Sequence, residues 1–191
     1  METKHRGFDP QNCLEAITAI EADLQRLTAD ITEAQFQAPP RTGGWSIAYC
    51  IEHLTLAGNS FLTECAAAQN GADAQGCRSQ SGFTYSWMQR RILDFAEPPY
   101  GVKIKATKPL EPCVRRSRND TVRRFLQMHR EFARRVTASE GCDLQRIKVR
   151  APFLSWIRHP LGMSFDLALA HERRHLWQAL QVRNQLTLNE E

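Results

Sequence analysis

The residues best able to do chemistry form one short run, His171-Glu172-Arg173-Arg174-His175. Histidines at i and i+4 lie one above the other on a helix face. Their imidazoles can meet one metal ion from a single side. The surrounding segment, from about Gly162 or Ser164 to Gln185, is apolar almost all round, with Phe165, Leu167, Ala168, Leu169, Leu176, Trp177, Leu180 and Val182. A helix of that kind touches neighbours on several sides, so two histidines there need a reason. Two imidazoles alone hold a metal weakly, and a third ligand is expected. His53 ranks first, on the flank of an earlier apolar stripe where a side chain can reach a groove between helices. His129 ranks second, at the centre of another apolar stripe, where the competing reading is a core histidine with a hydrogen-bonded ring. His159 ranks third, in a loop before Pro160.

The same run matches the HExxH pattern of zinc proteases, in which the glutamate activates water. The extended form, with a glycine and a third histidine, is absent: Leu176-Trp177-Gln178-Ala179-Leu180-Gln181 follows. Glu172 lies about 100° round the helix from His171, so a solvated or salt-bridged side chain is expected there. Arg173, Arg174 or Gln178 is expected to hold an anionic or polar group near the metal, with the plain reading of solvated arginines beside it. Arg174, Gln178 and His129 are the candidate substrate-binding side chains. Cys50, one turn before His53, is either an extra ligand or an ordinary core thiol. Tyr85 and Trp87 are candidate pocket walls.

Four helical segments must position these groups. The first opens at Asp9-Pro10, an N-cap followed by proline, and Leu14, Ile17, Ile20, Leu24, Leu27 and Ile31 mark one face. The second starts at Ser46, with Trp45 placed to staple its first turn, and fades by Gln69-Asn70-Gly71. The third starts near Asn119-Asp120 and buries Val122, Phe125, Leu126, His129, Phe132, Ala133 and Val136. The fourth carries the paired histidines. Between the second and third, residues 71–118 form a long irregular insertion with one short helix from about Tyr85 to Phe95. Long excursions of this kind often act as lids or pocket walls. The expected architecture is all-α, a single four-helix bundle domain over residues 1–191.

Composition narrows the function classes. The chain has 191 residues, 42% hydrophobic and 24% charged, which suits one ordinary globular domain. The six cysteines, Cys13, Cys50, Cys65, Cys77, Cys113 and Cys142, include no CxxC pair, which argues against zinc ribbons and redox dithiols. No signal-type start and no apolar run of membrane length is present, so a cytoplasmic protein is expected. A net charge of +4 is mild. Arg115, Arg116, Arg118, Arg123, Arg124, Arg130, Arg134 and Arg135 make the third helix basic. No aromatic interleaving accompanies them, so a solvated helix face is expected rather than a nucleic-acid surface.

Two stretches carry a resemblance. Residues 43–54, Gly-Gly-Trp-Ser-Ile-Ala-Tyr-Cys-Ile-Glu-His-Leu, resemble the entry to the second helix of the DinB-like superfamily. Arg158-His159-Pro160-Leu161-Gly162-Met163-Ser164, followed by Ala170-His171-Glu172-Arg173-Arg174-His175-Leu176-Trp177-Gln178, resembles its C-terminal metal helix. The resemblance implies the four-helix fold over nearly the whole chain, a homodimer, and His53, His171 and His175 as ligands of a divalent transition metal, zinc or nickel foremost. It also implies a metal-dependent thiol S-transferase, taking a small electrophile and a low-molecular-weight thiol. A metal-dependent hydrolase at the same site is the first alternative. A non-catalytic metal-binding or dimeric interaction protein is the second.

Overall fold

A computed structural model describes residues 7–41, 43–74, 83–99, 107–151 and 154–187. Cys77 and parts of the 71–118 insertion lie outside them. Helix α1 spans Pro10–Thr28. Asp9 caps it by accepting the Asn12 N–H at 3.0 Å, and Pro10 supplies the preset first-turn geometry. Its buried face is Cys13, Ile17, Ile20, Leu24 and Leu27, as the 3–4 spacing requires. A short helix α2, Glu33–Gln37, follows with a Thr32/Gln35 capping box and plants Phe36 in the core. Helix α3 spans Ile47–Ala74, and Ser46 Oγ accepts the Tyr49 N–H at 3.1 Å at its start.

Strand β1, Gly7–Phe8, pairs antiparallel with β2, Phe83–Thr84. Helix α4, Trp87–Ala96, opens with a Ser86/Gln89 capping box, two residues after the start expected at Tyr85. One 3-10 turn, Lys108–Leu110, precedes helix α5, Arg118–Ala138. Ser117 caps α5, two residues before the expected Asn119 start. Strands β3, Lys148–Ala151, and β4, Leu154–Pro160, form an antiparallel hairpin, and helix α6 runs Leu161–Thr187. His159 therefore stands in a strand opposite Val149, and not in a loop.

The fold is all-α apart from these two strand pairs among the described residues. Helix α3 packs on α5 and α6, and α1 packs on the same two, so the four long helices share one core. Phe61, Phe132 and Phe165 meet at its centre with ring centroids 5.5–6.0 Å apart. Gly58 lets Met128 of α5 approach the α3 backbone; a Cβ there would meet the Met128 sulfur at 2.5 Å.

The insertion is fastened to α6. Tyr85 donates its hydroxyl hydrogen to Asp166 Oδ2 at 2.6 Å. Arg173 forms a bidentate pair with the buried Glu97 carboxylate, just after α4. Arg174 donates to the Phe95 carbonyl at 3.2 Å.

Candidate metal centre

Packing α3 beside α6 brings His53 against His171 and His175. One ring nitrogen from each lies within 4.8 Å of the others. The His171 and His175 rings are 4.6 Å apart between centroids, one helical turn along α6. His53 sits 5.2 and 4.7 Å from them. Its Nε2 is 3.4 Å from His171 Nε2. Two nitrogens bound to one ion at the usual metal–nitrogen length and a tetrahedral angle are about 3.4 Å apart. The donor set therefore fits a metal.

The outward-facing nitrogens are held from behind. His53 donates from Nδ1 to the Leu110 carbonyl at 2.8 Å, and His175 donates from Nδ1 to Gln178 Oε1 at 3.0 Å. A carbonyl can only accept, so each Nδ1 carries the hydrogen and each Nε2 keeps its lone pair. Such bonds orient a ligand ring before any ion arrives. Trp45 stacks on the His175 ring at 5.5 Å and 20°, and lies 4.8 Å from the His53 ring.

Electrostatics keep the three imidazoles neutral. Burial lowers all three pKa values. His171 is pushed further down by His175, His53 and Arg174. His175 drops to about 3, through burial first and then the neighbouring His53. Neutral imidazole is the form that ligates. His53 is buried, while His171 and His175 each keep part of their surface open to solvent. Among the described residues no fourth histidine, cysteine or carboxylate joins the group.

The other candidates fall around this cluster. Gln178 touches it, as the acceptor behind His175. Arg174 is buried against Phe95, with its guanidinium 5.8 Å from that ring's centre, and Arg173 is engaged by Glu97. Cys50 is a buried free thiol outside the group, its pKa raised to about 12 by burial. Tyr85 is buried on Asp166, and Trp87 is exposed. His159 and His129 stand apart from the three.

His129 belongs to a second cluster. It is fully buried in α5, with Nε2 3.0 Å from Glu172 Oε2 and Nδ1 3.3 Å from Glu21 Oε1. Burial alone would lower its pKa, but the two carboxylates outweigh it and hold the value raised. Glu172 is thus buried and turned to α5, away from the position a water-activating glutamate takes in an HExxH site. Glu52, next to His53, is also buried and turned to α5: Thr121 donates to it at 2.9 Å and Arg116 at 3.1 Å. Each helix of the histidine cluster therefore carries a buried acid, beside one of its histidines, that ties it to α5.

Sequence reasoning missed three parts of this arrangement. Trp45 was expected only as a helix staple. The Leu110 carbonyl belongs to an irregular segment and has no side-chain signal. The Glu52 contacts join residues far apart in the chain. The adjacent pairs Glu52-His53 and His171-Glu172 were the available hint. The arginines of 115–135 mostly serve their own chain. Arg118 donates to the Thr28 carbonyl at 3.3 Å, Arg135 to Glu131 at 2.8 Å, and Arg123 pairs with Asp120.

An all-α chain with three converging imidazoles that could hold a metal ion is the class defined by fold and site. The family model of the DinB superfamily matches residues 16–179, and the chain belongs to that superfamily. Comparison with curated proteins and with solved structures gives no match. No described helix is long and apolar enough to cross a membrane.

Proposed function

We propose that the chain is a metal-dependent enzyme, a thiol S-transferase whose zinc or nickel ion is held by His53, His171 and His175. The observation that carries the reading is the convergence of three imidazoles, with His53 Nε2 3.4 Å from His171 Nε2 and the ring orientation of His53 and His175 pinned from behind. Structural zinc sites are closed by four protein ligands, whereas catalytic ones use three and leave a position open. Three candidate ligands, with no fourth side chain joining them among the described residues, match the second kind.

A divalent ion at this position supplies positive charge that favours a thiol as its thiolate. The chain's own residues orient and exclude. Leu110 and Gln178 fix the imidazoles, Trp45 covers one side, and the acids beside the histidines set the rotation of α3 and α6. The co-substrate is a low-molecular-weight thiol, and the substrate is a small electrophile whose leaving group the sulfur displaces. Hydrolysis at the same site is the second reading. It is less well supported because Glu172, the natural base, is engaged by His129. A second copy of the chain is the protein partner that this reading assigns.

The test loads the protein with zinc or nickel and follows consumption of an electrophilic aryl halide with and without a small thiol. Thiol-dependent turnover that disappears in His171→Ala supports transfer. Thiol-independent loss of an ester or amide would make the protein a hydrolase. No metal uptake at all would defeat both.

A further inference from the structure

The β3–β4 hairpin buries one face and leaves the other bare. Val149 and Ala151 pack inward, while Lys148, Arg150, Trp156 and Arg158 are exposed. Arg150 stands directly opposite Arg158 in the register. Like charges placed directly opposite one another destabilise a sheet. Little on the chain relieves the pair. Arg150 reaches Glu64 only at 3.9 Å, and Arg158 has no partner among the described residues. Lys148 donates to the Gln145 carbonyl at 2.7 Å, which leaves its charge unopposed by an acid. Just past the arginines the register breaks, since Ala151 faces Leu154, and Trp156 falls in the break. Irregularities of this kind re-aim side chains. The indole is 78% exposed, where an unpartnered surface strand would carry a polar residue.

We propose that this face binds single-stranded nucleic acid, with Lys148, Arg150 and Arg158 on the phosphates and Trp156 under a base. Charge and shape together select that partner. The three cations call for a polyanion, and anions laid across Arg150 and Arg158 relieve their repulsion. The tryptophan calls for a partner with free planar faces. Trp156 and Arg158 are two residues apart on β4, about 7 Å. Lys148 continues the row past the arginines, so the whole face runs roughly 13 Å, the length of a few nucleotides of extended strand.

A basic groove with an aromatic platform is the arrangement that holds single strands without sequence preference. The arginines of the α5 region supply charge with no aromatic among them; the hairpin has both. A duplex keeps its base faces inside the stack and gives the indole nothing to cover. An anionic membrane would engage the cations, but one apolar side chain among four residues provides little to insert. The face shares no residue with the histidine cluster, so its test is independent of the metal reading.

The experiment is fluorescence anisotropy of a labelled oligothymidine titrated with the full chain at several salt concentrations. Saturable binding is expected at low salt. The logarithm of affinity should fall against that of salt with a slope of about −2, as three phosphate contacts require. Trp156→Ala should weaken binding about tenfold or more. Arg158→Ala should weaken it and reduce the slope to about −1.4. Arg123→Ala, on the exposed face of α5, should bind as the wild type does. No binding at low salt overturns the proposal. So does a Trp156→Ala protein that binds normally, or a duplex of the same length bound equally well. Binding to vesicles containing phosphatidylserine, with the oligonucleotide ignored, would make the face a membrane contact and overturn it too. If Trp156→Ala loses helix content, Arg158→Ala decides, and an unchanged slope overturns the proposal.

Discussion

Two histidine clusters sit in one core and have opposite electrostatics. In the first, His53, His171 and His175 face one another, and every neighbour that matters is neutral or positive. In the second, His129 faces Glu172 and Glu21. Both lie in dense protein, and burial lowers the pKa of each imidazole. The difference is made by partners. Burial and like neighbours keep the first cluster neutral, with its ring nitrogens converging. Carboxylates raise the pKa of the second and favour its charged form, which has no lone pair to offer. What stands opposite a helical histidine among apolar residues thus decides whether it is suited to ligation or to carrying charge.

The contrast breaks most sharply at His129. His129→Leu leaves Glu172 buried without its counter-charge, which typically costs about 3–5 kcal/mol. Urea unfolding should show that loss. The double variant with Glu172→Leu should recover much of it, because an apolar pair replaces the ionic one. Next in size, Gln178→Ala removes the bond that orients His175. Such second contacts are worth about 10–100-fold in metal affinity. Metal titration should show the drop, with little change in the stability of the metal-free protein.

The two clusters should also oppose each other in pH. The histidines of the first have folded pKa values below the unfolded value of about 6.5. The unfolded chain therefore binds more protons in acid, and the metal-free protein loses stability as pH falls below about 6.5. His129 has the reverse sign. Its contribution is complete below the unfolded pKa and is lost as pH rises through its raised folded value. Thermal melts across pH should show less acid loss in His175→Gln and less alkaline loss in His129→Leu. The smallest effect belongs to the exposed Arg123–Asp120 pair. Arg123→Ala should change stability by under about 1 kcal/mol in the same melts.

Much of the site was legible because its signals are local. The i, i+4 histidines lie within one turn, and the flank position of His53 follows from the period of its own helix. The caps at Asp9 and Ser46 were legible for the same reason. What was not legible depends on distant chain. The β3–β4 hairpin has only four alternating residues in its first strand, too short a period to stand out. The start of α5 was misplaced because Ser117, Asn119 and Asp120 are all good caps, and only the backbone chooses among them. The Leu110 carbonyl is a backbone atom 57 residues from His53, and no residue type announces it. Glu52 and Glu172 look like ordinary surface acids until α5 supplies their partners.

The most direct test of the account is elemental analysis of the purified protein and of the His171→Ala/His175→Ala double variant, each before and after incubation with zinc or nickel. The account predicts about one divalent metal ion per chain in the wild type and none in the variant, with both proteins folded. A wild-type protein that contains no metal and takes up neither ion would contradict it, and would leave the three histidines as a structural cluster.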